Sequence, residues 1–369
     1  MKIALLGSRG IPASYSGFET FYEQLAVRLV KHGHEVTVYN RSHHITYREK
    51  YFNGVRLVRL PSIRTKHLDT LSHTLLSFLH ALFGGYDIYY ICIVGNSPIC
   101  LLTKIFKKKV ILNVDGADAD REKWTGFAKT YIRWSESFAS RFADVIIADS
   151  PVISKRYLKK FGRETIYIPY GSNPWPREKE TGNRAILDKF GLEPDGYILF
   201  VSRLTPENGA HLLIEAFKNS KTDLKLVIVG DAPYVDTYKK DLKSLCNDGI
   251  IMTGYLFGDA YREISCHCRF FVLPAGIDGT RPVLLDQMGF GNCVVVKNTP
   301  ANINVIGDAG LSFDRRREVD SLTEQIKELS RNRETVELYR QKAFSRIKTH
   351  YSWEWVTYQY ESLFKQMMD

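Results

Sequence analysis

Long apolar runs are missing from this chain. Its most apolar region, Leu71 to Leu102, is broken by His73, His80, Gly84–Gly85 and Asp87. It falls short of the ~20 uninterrupted apolar residues a membrane-spanning helix needs. The opening MKIALLGSRG has one Lys and a short apolar run ending in a glycine turn. A secretory leader needs a longer run and a small-residue cleavage site, so the segment reads as a first β-strand and the protein is expected in the cytoplasm. Cysteine is scarce. Of six, Cys92, Cys100, Cys246 and Cys293 lie in or beside apolar runs, as small core residues do. Cys266-His267-Cys268 has no second pair at metal-ligand spacing and reads as a helix end entering a strand at Arg269–Leu273. Acidic residues are short in one half only. Residues 1–175 hold 25 Lys/Arg against 14 Asp/Glu, a net of +11, whereas residues 176–369 hold 26 against 27. The excess, with clusters at KIFKKK (104–109) and KRYLKK (155–160), suits a phosphorylated substrate or an anionic membrane surface. The clusters lack the interleaved aromatic platform that nucleic acid would use.

What is present is an alternation of strands and helices. Apolar, β-branched runs stand at 2–7, 35–39, 55–60, 87–93, 110–114, 144–148 and 165–169. Helical spacing separates most of them, as in residues 19–33, with Gly33 as a helix stop. Residues 172–190 are polar, carry two prolines and read as a linker. A second series follows at 197–201, 224–229, 250–253, 270–273, 293–297 and 310–313. The 369 residues exceed one ordinary core. The fold class is α/β, with two Rossmann-like doubly wound domains facing a cleft: 1–175 and 176–350. An amphipathic helix in 351–369 needs something to pack on. In doubly wound sheets, ligands bind outside the carboxyl ends of the strands.

Three stretches lie at such ends. GSRGIPASYSGFET (7–20) joins the first strand to a helix, with Gly7, Gly10 and Gly17 permitting close backbone approach to a ligand. It is not GxGxxG, and Asn40 and Arg41 stand where a dinucleotide fold would place an acid after strand two. Arg203 follows the strand at 197–201, where a guanidinium suits phosphate; a salt bridge to Glu207 is the structural alternative. The third is IDGTRPVLLDQMGFG (277–291). Thr280 is expected as helix N-cap with Pro282 in the first turn, and the amides at 280–283 as a phosphate seat. Asp278 stands beside that seat for sugar hydroxyls, and Asp286 one to two turns in for a ribose diol.

Together these motifs resemble family 4 glycosyltransferases of the GT-B fold, whose usual E-x7-E appears here as Asp278-x7-Asp286. The likeness extends through ADVIIADS (143–150), IPYG (168–171) and VIGDAGLSFD (305–314). It implies a final helix, 351–369, crossing back to the first domain. Four further stretches, GSRGIPASYSGFET, VDGADADREKW (114–124), SRLTPENG (202–209) and GTRPVLLD (279–286), resemble the bacterial subgroup containing β-1,4-rhamnosyltransferases of capsule and O-antigen assembly. Asn208 stands where the general family has Lys, a loss the subgroup shares; Ser16 replaces a glycine, and Asp118-Ala119 an expected Glu-Trp.

The resemblance implies retaining transfer of a hexose, rhamnose from dTDP-rhamnose, to a hydroxyl of a polyprenyl-diphosphate-linked glycan. It puts Gly17, Arg203, Asn208, Gly230, Tyr255, Asp278, Gly279, Thr280, Arg281 and Asp286 at the donor. Glu19, Asp118, Arg121 and Lys123 fall to the acceptor, and Asp115, Asp278 and Arg203 to catalysis. No metal or cofactor is expected, although Asp118-Ala119-Asp120 formally reads DxD. The basic first domain would rest on the inner face of the plasma membrane. Use of another UDP- or GDP-sugar, a nucleotide-sugar 2-epimerase and a non-catalytic nucleotide-sugar-binding subunit remain as alternatives.

Overall fold

The computed structural model describes residues 1–13, 17–65, 68–114, 126–180, 184–231, 236–276 and 279–369, apart from the side chains of Phe127, Glu178 and Asp236. Contacts divide the chain into two units, Met1–Gly171 with Trp353–Asp369, and Ser172–Ser352.

The first unit alternates β1 (Lys2–Leu6), α1 (Gly17–Lys31), β2 (Glu35–Arg41), β3 (Tyr51–Phe52), β4 (Val55–Leu60), α2 (Asp69–Ala81), β5 (Ile88–Cys92), α3 (Ile99–Ile105), β6 (Lys109–Val114), α4 (Gly126–Phe142), β7 (Val145–Ala148), α5 (Pro151–Phe161) and β8 (Ile166–Tyr167). The sheet order is β3-β4-β2-β1-β5-β6-β7-β8. All neighbours run parallel except β3 and β4. Parallel neighbours need helical crossovers, which cover both faces of the sheet. Apart from Lys2, the central strands β1 and β5 are accordingly buried throughout, and Ile3, Leu5, Ile88 and Ile91 have no exposed surface.

The second unit runs α6 (Ala185–Phe190), β9 (Tyr197–Val201), α7 (Ala210–Ser220), β10 (Lys225–Val229), α8 (Asp236–Leu245), β11 (Ile250–Gly254), α9 (Gly258–Cys266), β12 (Phe270–Leu273), α10 (Pro282–Gly289), β13 (Val294–Lys297), α11 (Pro300–Ile306), β14 (Leu311–Phe313), α12 (Glu318–Arg331) and α13 (Arg333–His350). Its strand order, β11-β10-β9-β12-β13-β14, is all parallel and reverses direction of growth between β9 and β12. That is the doubly wound order 3-2-1-4-5-6, with its ligand crevice at the β9/β12 switch point.

The stretch 172–190 is bound to the second unit rather than strung out as a linker. Arg177 donates to the Cys268 carbonyl at 3.1 Å and the Asn292 side chain at 2.6 Å. The Ile186 and Leu187 amides donate to the buried Glu263 carboxylate at 2.8 and 2.9 Å. Polar composition hid these contacts because α6 is short and buries a single residue, Leu187.

The last helix, α14 (Trp353–Met368), lies in the first unit and meets α1. It buries Trp353, Val356, Tyr360, Leu363 and Phe364. The Phe21 ring lies 6.0 Å from Trp353 and 5.5 Å from Tyr360. Among the described residues, no helix is long and apolar enough to cross a membrane.

Candidate active site

In the second unit, the carboxyl ends of β9 and β12 bring together residues about seventy positions apart. Arg203 leaves the β9 end and is exposed; among the described residues it makes no ion pair with Glu207 or any other acid. Its loop is braced from inside. Buried Asn208 donates its side-chain N–H to the Arg203 carbonyl at 2.8 Å and the Thr205 hydroxyl at 3.0 Å. Where the resemblance sets Asn208 against a lysine, the structure gives its amide a loop-positioning contact. Asn208→Ala is expected to lower stability by about 1–2 kcal/mol in urea unfolding, the usual effect of stranding buried hydrogen-bonding groups.

Strand β12 ends at Leu273, and α10 opens at Pro282. The N-cap is Arg281, in extended conformation and without a side-chain cap bond, so Thr280 does not cap this helix. A residue before proline is pushed out of the helical region, which sets the helix phase one residue later than the Thr280 expectation. Pro282 has no N–H and the Leu284 amide already bonds the Arg281 carbonyl at 3.0 Å. Val283 is the first-turn amide with no acceptor among the described residues. Gly279 and Thr280 are buried against this turn, and Arg281 is half-buried.

Asp286 sits one turn into α10. Its carboxylate accepts from the Ser172 hydroxyl at 3.0 Å. Burial pushes its pKa up to about 6, and the Ser172 hydroxyl pulls partly against that rise. The helix is held by its other face. Gln287 donates to Ser265 at 2.9 Å, and Asn292 donates to Gln287 at 2.7 Å. No short motif announces Ser172, Gln287 or Asn292, because each works through a partner distant in sequence or a neighbour on a helix edge.

Two further donor-side candidates follow β10 and β11. Gly230 has φ 142°, and an added Cβ would lie 1.8 Å from the Ser202 carbonyl oxygen, so the β9 and β10 ends meet there without room for a side chain. Tyr255 donates to the Asp231 carbonyl at 3.0 Å and stacks on Phe257 at 5.8 Å. Both rings are exposed, at 45% and 69%. Phe257 joins Tyr255 as an aromatic surface that spacing did not single out.

In the first unit, Gly17 is the first residue of α1. Buried Glu19 accepts from the Arg9 amide at 2.9 Å, and Glu23 from the Ala13 amide at 2.7 Å, so α1 carboxylates brace the glycine loop. Asn40 clips the same loop through both the N–H and C=O of Ile11, at 3.1 and 2.6 Å. Gly10 is needed because a Cβ there would sit 2.2 Å from the Asn40 side chain. Arg41 donates to Asp69 at 2.8 Å. Thus Asn40 and Arg41, which replace the acid of a dinucleotide fold, are loop and helix anchors. His43, His44 and Asp69 offer three ligand atoms within 4.8 Å. Asp69, however, already takes Arg41 and Ser62, and the guanidinium would repel a dication. Asp115, Asp118, Arg121, Lys123 and Asp278 lie outside the described residues.

Two Rossmann-like parallel sheets, one in each unit, are the fold of the GT-B class. Residues 183–346 match the family described as Glycosyl transferases group 1, and residues 85–173 match a domain of unknown function, DUF1972. The chain is a glycosyltransferase, and its match to group 1 lies within the second unit. It is 22% identical over 266 residues to O-antigen chain mannosyltransferase C of Escherichia coli, covering 68% of each chain. It is 25% identical over 306 residues to a GDP-mannose-dependent alpha-(1-6)-phosphatidylinositol monomannoside mannosyltransferase of Mycolicibacterium smegmatis, covering 78% of this chain and 75% of that one. The structure of Anabaena HepE in complex with UDP-glucose shares its fold, with TM-score 0.80, 16% identity, and 99% and 100% of the two chains covered.

Proposed function

We propose that this enzyme transfers a hexose from a nucleotide sugar to a hydroxyl of a lipid-linked glycan in bacterial surface polysaccharide synthesis. The donor is dTDP-rhamnose and the anomeric configuration is retained. What supports the reading is that Arg203 follows β9 while α10, with Asp286, follows the neighbouring strand β12, at the switch point of the segment that matches group 1. Arg203 and the first turn of α10 stabilise the leaving diphosphate electrostatically, in place of a metal. Asp286 accepts from the ribose hydroxyls, and Asp278 holds the sugar. The bond from the anomeric carbon to the phosphate oxygen breaks as the acceptor oxygen bonds the same face. The acceptor proton passes to the departing diphosphate oxygen, so no protein base is required. The first unit, with Glu19, Asp118, Arg121 and Lys123, takes the acceptor on its basic surface, and Asp115 faces the reacting centre.

The choice of rhamnose is supported by GSRGIPASYSGFET, VDGADADREKW, SRLTPENG and GTRPVLLD. A GDP-mannose donor is the second reading, favoured by the mannosyltransferase names of two relatives. Calorimetry with dTDP-rhamnose, GDP-mannose and UDP-glucose separates them. Tight binding of dTDP-rhamnose alone is expected, unchanged by a chelator. Preference for GDP-mannose would replace the donor and keep the reaction; binding of none would remove the catalytic proposal.

A further inference from the structure

The outward face of α2 is made of the wrong residues for a helix in water. Between Asp69 and Asp87 the sequence has no Lys, Arg, Asp or Glu. Toward the protein α2 buries His73, Thr74 and Ser77 beside Phe78 and Ala81. Toward solvent it exposes Leu75, Leu76 and Leu79, and the stripe continues one turn later to Phe83, which is 93% exposed. A surface helix normally turns its apolar stripe inward and its polar one outward; here the outer stripe is the more hydrophobic. The face does not stop at α2. Helix α3 touches α2, and the Phe78 and Phe106 rings lie 6.2 Å apart. At that junction α3 adds Ile105, 64% exposed, and Phe106, 47% exposed. The turn that follows carries Lys107 and Lys108, and Lys104, which is ion-paired with Asp144, precedes it.

We infer that this α2–α3 face is a bilayer-docking surface, which seats its leucines and phenylalanines among the acyl chains of an anionic membrane with the lysines at the headgroups. Continuous exposed apolar patches mark interaction sites, and Lys107 and Lys108, which make no ion pair among the described residues, are complementary to anionic lipid. The sign matches the whole first half of the chain, which carries the net of +11. With no described helix able to span a bilayer, the face lies on the membrane rather than through it. The inference deepens the lipid-linked acceptor proposed above, and its test uses lipid without donor or glycan, so the two fail separately.

The test is co-sedimentation of the full chain with vesicles of phosphatidylcholine, with and without about one third phosphatidylglycerol. Wild type is expected to bind the anionic vesicles at least ~10-fold more tightly than the neutral ones. The double substitution Phe83→Ser with Ile105→Ser is expected to weaken that binding ~10-fold or more, since two large side chains lose their burial. Lys107→Glu with Lys108→Glu is expected to remove the preference for anionic lipid and most of its salt dependence. Donor binding by calorimetry reports folding and should be unchanged in both variants. Absence of wild-type binding to anionic vesicles, or variants that bind as wild type does, would overturn the inference. So would light scattering that shows a wild-type dimer made monomeric by Phe83→Ser, which would assign the face to a second copy.

Discussion

Asp286→Asn is expected to melt at a higher temperature than wild type at pH 8 while losing nucleotide-sugar binding. In the folded protein burial raises the Asp286 pKa to about 6, against about 3.9 for an aspartate in the unfolded chain. The folded state therefore holds the proton more tightly. Below about pH 4 both states are protonated and the group is neutral in its effect. As pH rises through 6, the folded chain must carry a desolvated carboxylate that the unfolded chain keeps in water, and stability falls. The shift corresponds to about 2–3 kcal/mol at pH 8. Asparagine removes the charge and keeps an acceptor for the Ser172 hydroxyl. The gain should appear as roughly 5–10 °C at pH 8 and vanish near pH 4. The same carboxylate, ionised, is the proposed acceptor for two ribose hydroxyls. Losing two charge-assisted bonds is expected to weaken the donor ~100-fold or more. Wild-type affinity should likewise drop about tenfold per pH unit below 6. Calorimetry and thermal melts across pH 4–8 test both halves. Unaltered donor affinity in Asp286→Asn would end the ribose role.

Removing residues 353–369 is expected to unfold the first unit and leave the second folded. Helix α14 fills an aromatic cluster in which Phe21 meets Tyr90, Trp353 and Tyr360, and Tyr90 meets Tyr360. A buried chain runs through it: the Asn113 amide donates to the Tyr90 hydroxyl at 2.7 Å, and the Tyr90 and Tyr360 hydroxyls lie 3.1 Å apart. Deletion would expose Phe21 and Tyr90, each otherwise buried at the centre of the unit. Tyr360→Ala, a smaller change, is expected to cost about 3–5 kcal/mol through the cavity it leaves. Tyr360→Phe removes the hydroxyl alone, with Asn113 still satisfying Tyr90, and should cost about 1 kcal/mol. Calorimetric unfolding of the deletion should retain one transition, that of the second unit. Two undisturbed transitions would show that the helix is dispensable to the first.

Much of the architecture was legible because parallel strands buried on both faces write themselves as short apolar runs. The runs at 2–7, 87–93, 110–114, 197–201 and 270–273 lie on β1, β5, β6, β9 and β12. Strand β3 was not legible: two residues, one exposed, carry no period. Helix α6, six residues inside a polar stretch, was hidden for the same reason. Near the site, the start of α10 was legible to within about a residue through Pro282, but its cap was misassigned to Thr280. Cap choice depends on backbone angles at Arg281 that proline sets locally and composition does not reveal.

By itself, then, the sequence determined the alternation of strands and helices, the place of Arg203 just past a strand, and the place of Asp286 inside a helix. These are local matters of period, turn chemistry and propensity. Only the tertiary structure decided that β9 and β12 are neighbours and that Ser172 meets Asp286 across 114 residues. It likewise decided that α2 turns Leu75, Leu76 and Leu79 outward and His73 and Thr74 inward. Strand order, the burial that raises a carboxyl, and the direction a helix faces depend on contacts between distant segments, which no short stretch of sequence contains.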